Sequence, residues 1–123
     1  MIGTLPLSIL IVEPHAKFGT LISRRLEADG HQTRHVSDGH TALEMLDTGP
    51  WQMIWLHPAL GDDSWKELAL AAREQAPDCF ITLLSDVAVA PEPGAGPWAD
   101  VILPRAWKDA ELREAVAGAA SRT

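Results

Sequence analysis

Short, nearly continuous apolar runs alternate along this chain with segments whose apolar residues recur every three or four positions. The first run, Leu7-Ser8-Ile9-Leu10-Ile11-Val12, is rich in β-branched residues and too short for a buried helix. It predicts a strand covered on both faces. Phe18, Leu21, Ile22 and Leu26 follow at helical spacing, with Arg25 as the polar flank of an inward stripe. That helix should end at Asp29-Gly30, because glycine accepts the left-handed conformation of a helix cap. His31 to Val36 alternates weakly and predicts an exposed strand. Ser37-Asp38-Gly39 makes a turn, and Ala42, Met45 and Leu46 form a second helical stripe that Gly49-Pro50 interrupts.

The pattern then repeats. Met53-Ile54-Trp55-Leu56 is a second all-apolar run. Asp62 or Asp63 offers a carboxylate cap for a third helix, whose buried face is Trp65, Leu68, Ala69 and Ala72 and which Ala76-Pro77-Asp78 closes. Phe80 to Leu84 predicts a fourth strand, Val101-Ile102-Leu103 a fifth, and Leu112, Ala115, Val116 and Ala119 stripe a last helix. Strands alternating with helices at this spacing imply βαβ units and a parallel sheet with helices on both faces. The alternation fails between Ala88 and Pro97. There Pro91, Pro93 and Pro97, with Gly94 and Gly96, oppose the helix that should join the fourth and fifth strands, so a turn or loop is expected.

Composition narrows the function classes. A length of 123 residues points to one domain spanning 1–123, whether whole or excised from a longer protein, with one hydrophobic core. The net charge of -7 repels phosphate backbones and anionic lipid, which argues against direct contact with nucleic acid or a membrane surface. The single cysteine, Cys79, cannot form an internal disulfide and fits a reducing compartment. The first twelve residues lack a basic region, and Glu13-Pro14 ends their apolar run well short of the ~20 residues of a membrane span. A cytoplasmic domain is expected. No Gly-rich phosphate loop follows the first strand, which argues against an unrelated nucleotide-binding enzyme on the same architecture.

Several segments, in order, resemble the receiver domains of response regulators. Ile9-Leu10-Ile11-Val12-Glu13-Pro14 looks like the family's first strand and acidic pair, and Asp38-Gly39-His40-Thr41-Ala42-Leu43 like the start of its second helix. Trp51 to His57 is similar to the strand that ends on the phosphorylated aspartate. Leu83-Leu84-Ser85 resembles the strand bearing the switch hydroxyl, and Ala99 to Trp107 the fifth strand with its terminal Lys-Pro-aromatic. The resemblance covers essentially the whole chain. It implies a flavodoxin-like, doubly wound, five-stranded parallel sheet of order 2-1-3-4-5, with helix four degraded or replaced by a loop. The resemblance places Glu13, Pro14, His57, Ser85 and Arg105 in one cleft at the carboxyl ends of the strands.

The resemblance also exposes what is missing. In the family, three carboxylates hold Mg²⁺, a hard cation that takes oxygen ligands. Here Pro14 and His57 stand at two of those positions and only Glu13 keeps its carboxylate, so phosphorylation of aspartate at the usual place is ruled out. The phosphate-contacting lysine is Arg105, a planar group that prefers carboxylate forks, and the proline after it is Ala106. A cis bond at Arg105-Ala106 would cost ~2.5–4 kcal/mol without proline, so a trans bond is expected. Asp86 places negative charge where the family keeps a small residue, and Ile102 replaces the aromatic switch. These residues describe a vestigial pocket.

The sharp readings compete with plainer ones. His57 can serve as phosphoacceptor or metal ligand, or simply as a hydrogen-bonded histidine. Glu13, Asp86 and Arg105 can bind an ion, or form a structural ion pair in which Arg105 replaces the metal as counter-charge. Trp55 and Trp65 read as core; Trp98 and Trp107 flank the fifth strand and are candidates for a partner surface. His15, His31, His35 and His40 read as scattered and solvated. The expectation is an atypical receiver that signals by protein–protein contact, without catalysis and without cofactor or metal. Its partners would be a histidine kinase, another regulator, an output domain or a second copy of itself. The alternatives are phosphotransfer through His57, and a small-ligand or metal sensor built on Glu13, His57 and Asp86.

Overall fold

In the computed structural model, which describes residues 6–57, 64–85, 99–104 and 107–120, the all-apolar runs become the centre of a parallel sheet. The chain runs β1 (Ser8–Val12), α1 (Ala16–Ala28), β2 (Gln32–Val36), α2 (Gly39–Leu46), β3 (Met53–Leu56), α3 (Ser64–Gln75), β4 (Phe80–Ser85), β5 (Val101–Pro104) and α4 (Asp109–Ala120). The strands lie in the order β2-β1-β3-β4-β5 and every pairing is parallel. β1 and β3 are apolar throughout their buried length because both faces are covered, whereas the edge strand β2 alternates between exposed and half-buried positions.

The two faces carry separate cores. Leu10, Val12, Ile54, Leu56, Ile81 and Leu83 meet Ala42 and Leu46 of α2 and Leu68, Ala69 and Ala72 of α3. On the other face, Ile9, Ile11, Met53, Trp55 and Leu84 meet Ile22 and Leu26 of α1 and Leu112, Ala115, Val116 and Ala119 of α4. Alternate residues of each strand supply alternate cores, as the period-two geometry of a strand requires. The chain leaves the sheet centre at β1, visits the edge at β2 and returns to the other side at β3. That reversal opens a crevice at the carboxyl ends of β1 and β3.

Local signals explain the element ends. Gly30 has φ +96°, the left-handed conformation that closes α1. The Asp38 carboxylate caps α2, accepting from the Thr41 amide at 2.7 Å and the Thr41 hydroxyl at 3.0 Å, and these bonds hold its pKa below the usual carboxylate range. Arg25 forks onto Asp109 at 2.7 and 3.0 Å, joining α1 to the first turn of α4.

Two expectations are corrected. Phe18 and Leu21 do not face the core: they are 45% and 60% exposed, and Gly19, Ile22 and Leu26 form the inward stripe. The reason lies on β2. A side chain at position 19 would overlap the imidazole of His35, so the helix seats its glycine against that ring and turns Phe18 and Leu21 outward. His31 is not solvated either. It is 5% exposed, and its Nδ1 accepts the Leu7 amide at 3.1 Å. His35 is half-buried, and only His15 and His40 are exposed as expected. The expected loop between the fourth and fifth strands and the Asp62/Asp63 cap lie outside the described residues.

Candidate functional site

Glu13 and His57 sit one residue beyond the ends of β1 and β3. Their backbones continue the sheet: the Glu13 amide donates to the Val36 carbonyl and the His57 amide to the Val12 carbonyl, both at 3.0 Å. The two side chains are therefore held at the crevice by strand geometry, and both are buried, at 2% and 1% exposure.

Burying a carboxylate is expensive unless donors surround it. Here the donors come from the same short segment. Glu13 Oε2 accepts the His15 amide at 2.9 Å and lies 3.1 Å from His15 Nδ1. Pro14, half-buried between them, has no amide to compete and no carboxylate to add. The Glu13 carbonyl accepts His35 Nε2 at 2.9 Å, which ties the end of β1 to β2 and to the ring that Gly19 accommodates. The His15 ring stands edge-on to His57, with centroids 6.1 Å apart, and edge-on to Phe18 at 5.8 Å. One buried carboxylate and three histidines thus form a connected cluster at the carboxyl ends of β1, β2 and β3.

Among the described residues, the donors at this end of the sheet do not make a magnesium site. Glu13 directs its carboxylate oxygen to His15, Pro14 offers no ligand, and His57 offers nitrogen where a hard cation needs oxygen. Among the described residues, no group of three or more His, Cys, Asp or Glu is placed to hold a metal ion.

The remaining expected residues divide. Ser85 ends β4 and pairs in register with Pro104, and Ile102 of β5 pairs with Leu83, which puts both strand ends at the same edge of the sheet. Asp86, Trp98, Arg105 and Ala106 lie outside the described residues. Trp107 is half-buried, its ring edge-to-face with Trp55 at 5.6 Å, so it packs on the α1/α4 core as well as meeting solvent. Residue-by-residue reading missed His15 and His35. The signal for His15 was its place two residues after a strand-end glutamate, close enough for its amide to turn back. The signal for His35 was parity, since it shares a face of β2 with half-buried Thr33.

No protein-family profile matches this sequence, and no curated protein matches it. Solved structures do match. The receiver domain of the Francisella response regulator 1452 superposes with a TM-score of 0.81 at 21% identity, over 94% of this chain and 98% of that one. The fold is the receiver fold. The receiver domain of a Pseudomonas aeruginosa sensor histidine kinase, with a magnesium ion coordinated in its active-site cleft, gives a TM-score of 0.80 at 20% identity, covering 94% and 98% of the two chains. The Thermotoga maritima response regulator TrrA, solved in complex with the histidine kinase ThkA, gives 0.79 at 22% identity, covering 92% and 97%. Among the described residues, no helix is long and apolar enough to cross a membrane.

Proposed function

We propose that this chain is a signalling domain of the two-component type that acts by binding a protein partner and does not accept a phosphoryl group on aspartate. The observation that supports this most is the set of side chains at the carboxyl ends of β1 and β3. Where receiver chemistry needs open carboxylates, this chain has a Glu13 carboxylate turned onto His15, a proline, and a buried histidine. Incubation with acetyl phosphate and Mg²⁺ should leave the intact mass unchanged; a stable gain of one phosphate would overturn this reading.

Phosphotransfer through His57 fits less well. An attacking imidazole needs a nitrogen open to the donor, and His57 is 1% exposed. A sensor built on Glu13, His57 and Asp86 has its third residue outside the described residues, and the described ones make no group of three placed to hold a metal ion.

The partner surface we favour is the outer side of α1. Phe18 and Leu21 are large apolar side chains left in water, with Lys17 and Arg24 beside them. On a chain of net charge -7, this is a local apolar and cationic patch suited to an acidic amphipathic helix. It adjoins the crevice, because Phe18 touches His15 and His15 touches His57. The complex of TrrA with a histidine kinase is an example of this fold engaged by a kinase. The double variant Phe18→Ser/Leu21→Ser should abolish binding to a partner kinase in calorimetric titration. Its stability should change by less than about 0.5 kcal/mol, as for exposed positions generally. Unchanged affinity would remove α1 as the contact.

A further inference from the structure

Among the described residues, no strand pairs with the outer side of β2. In a parallel ladder, alternate residues turn both backbone groups towards the same neighbour. The Gln32 amide donates to the Leu7 carbonyl at 2.9 Å, and the Val36 carbonyl accepts the Glu13 amide at 3.0 Å, so Gln32, Arg34 and Val36 face β1. Thr33 and His35 therefore turn their amides and carbonyls outwards. None of these outward groups has a hydrogen-bond partner among the described residues.

Beside this edge lies a groove of about 360 Å³, whose walls include Gln32, Thr33 and Arg34 of β2 and Met45 and Thr48 at the end of α2. Arg34 shares its face of β2 with Val36, which packs into the core beneath α2 and α3. The Arg34 side chain is exposed and has no ion-pair partner among the described residues. No aspartate or glutamate lines the groove. The Met45 carbonyl at this helix end is already taken by the Thr48 amide, the Thr48 hydroxyl and the Trp51 indole N–H. On a chain of net charge -7, Arg34 is thus an uncommitted guanidinium in a groove without counter-charge. Such a group forks onto a carboxylate with parallel hydrogen bonds.

The two observations answer different questions. Unpaired edge groups accept an extended backbone, and a groove beside them selects one of its side chains. A second copy of β2 is a poor occupant. Full antiparallel overlap would set Arg34 opposite its own counterpart, and like charges directly opposite are destabilising.

We propose that the edge of β2 takes up an extended segment of a partner chain as an added strand, with an aspartate or glutamate of that segment held by Arg34. This surface is separate from the Phe18 and Leu21 patch, so it stands or falls apart from the function proposed above.

The test is a titration of the ¹⁵N-labelled full chain with the blocked peptide acetyl-Thr-Val-Ser-Glu-Ser-Val-Thr-amide, and with the same peptide carrying glutamine in place of glutamate. The glutamate peptide should give saturable shifts of the Thr33 and His35 amides and slow their hydrogen exchange. It should bind about tenfold more tightly than the glutamine peptide. Arg34→Gln, at an exposed position that leaves the fold intact, should bring the two peptides to equal affinity. Methylating alternate backbone nitrogens of the peptide should abolish binding in one parity and spare it in the other. No saturable binding, binding without shifts at Thr33 and His35, a glutamate preference that is absent or survives Arg34→Gln, or equal effects of the two methylation patterns would overturn the proposal. Concentration-dependent shifts of the same amides without peptide would overturn the partner segment and assign the edge to a second copy. Phe18→Ser/Leu21→Ser should leave peptide binding unchanged, and a loss there would overturn the edge and assign the peptide to α1.

Discussion

The two ends of the sheet handle polar groups in opposite ways. At the carboxyl end, ionisable side chains turn towards one another: Glu13 onto His15, His35 onto the Glu13 backbone, His15 against His57. At the amino end, side chains complete the backbone ladder. His31 Nδ1 accepts the Leu7 amide, Gln52 Oε1 accepts the Ser8 amide at 2.7 Å, and Trp51 donates to Met45. The carboxylates of Asp47 and Asp78 stay out at the rim. A group whose partners lie within its own cluster is not available to a ligand, whereas an exposed carboxylate is open to water. Among the described residues, the carboxyl end of the sheet is therefore the one whose ionisable groups are engaged with one another.

The contrast can be broken most sharply at Glu13. Glu13→Ala removes the acceptor of the His15 amide and ring, and should destabilise the chain by about 2 kcal/mol in urea unfolding, since hydrogen bonds to charged groups are the stronger kind. A loss within experimental error would mean that the cluster is incidental. Gly19→Ala comes next. The added methyl overlaps the His35 imidazole, which must swing out and give up the Glu13 carbonyl, at a cost of about 1.5 kcal/mol. In His35→Ala the same substitution should be nearly neutral, and an unchanged penalty there would place the clash elsewhere.

The amino end should respond more weakly. Gln52→Ala leaves the Ser8 amide without its side-chain acceptor and should cost about 1 kcal/mol. The smallest effect is one of pH. Burial lowers the His31 pKa from its ordinary value of 6.5, with Asp29 opposing the shift. The unfolded chain then takes up a proton that the folded chain refuses, so the His31 contribution is intact above about pH 6.5 and is lost as pH falls from there towards the lower folded value. Urea midpoints compared on the two sides of that window should fall less in His31→Gln than in the parent. An identical pH slope would show that His31 titrates alike in both states.

Much of the fold was legible in the pattern of residues. The apolar runs at 9–12, 53–56 and 80–84 mark strands buried on both faces, and the stripe at Leu112, Ala115, Val116 and Ala119 marks its helix face, because burial on two sides or one leaves distinct periodicities. Part of the site was legible too, since the strand ends at Glu13 and His57 follow once the strands are placed. What was not legible is which neighbour each polar group meets. Phe18 and Leu21 satisfy the helical spacing of a core stripe as well as Ile22 and Leu26 do, and only the His35 ring against Gly19 decides which pair faces inward. His31 and His40 look alike in the chain; one is buried on the Leu7 amide and the other is exposed beside Glu44.

By itself, then, the sequence determined the alternation of strands and helices and the two-sided burial of the central strands. Periodicity and residue chemistry are local properties, and a reader of the chain has direct access to them. Only the tertiary structure decided the rotation of α1, the burial of His31 and His35, and the closing of Glu13 onto His15. Those outcomes depend on the space left between elements distant in the chain, and that space exists only after the sheet has brought them together.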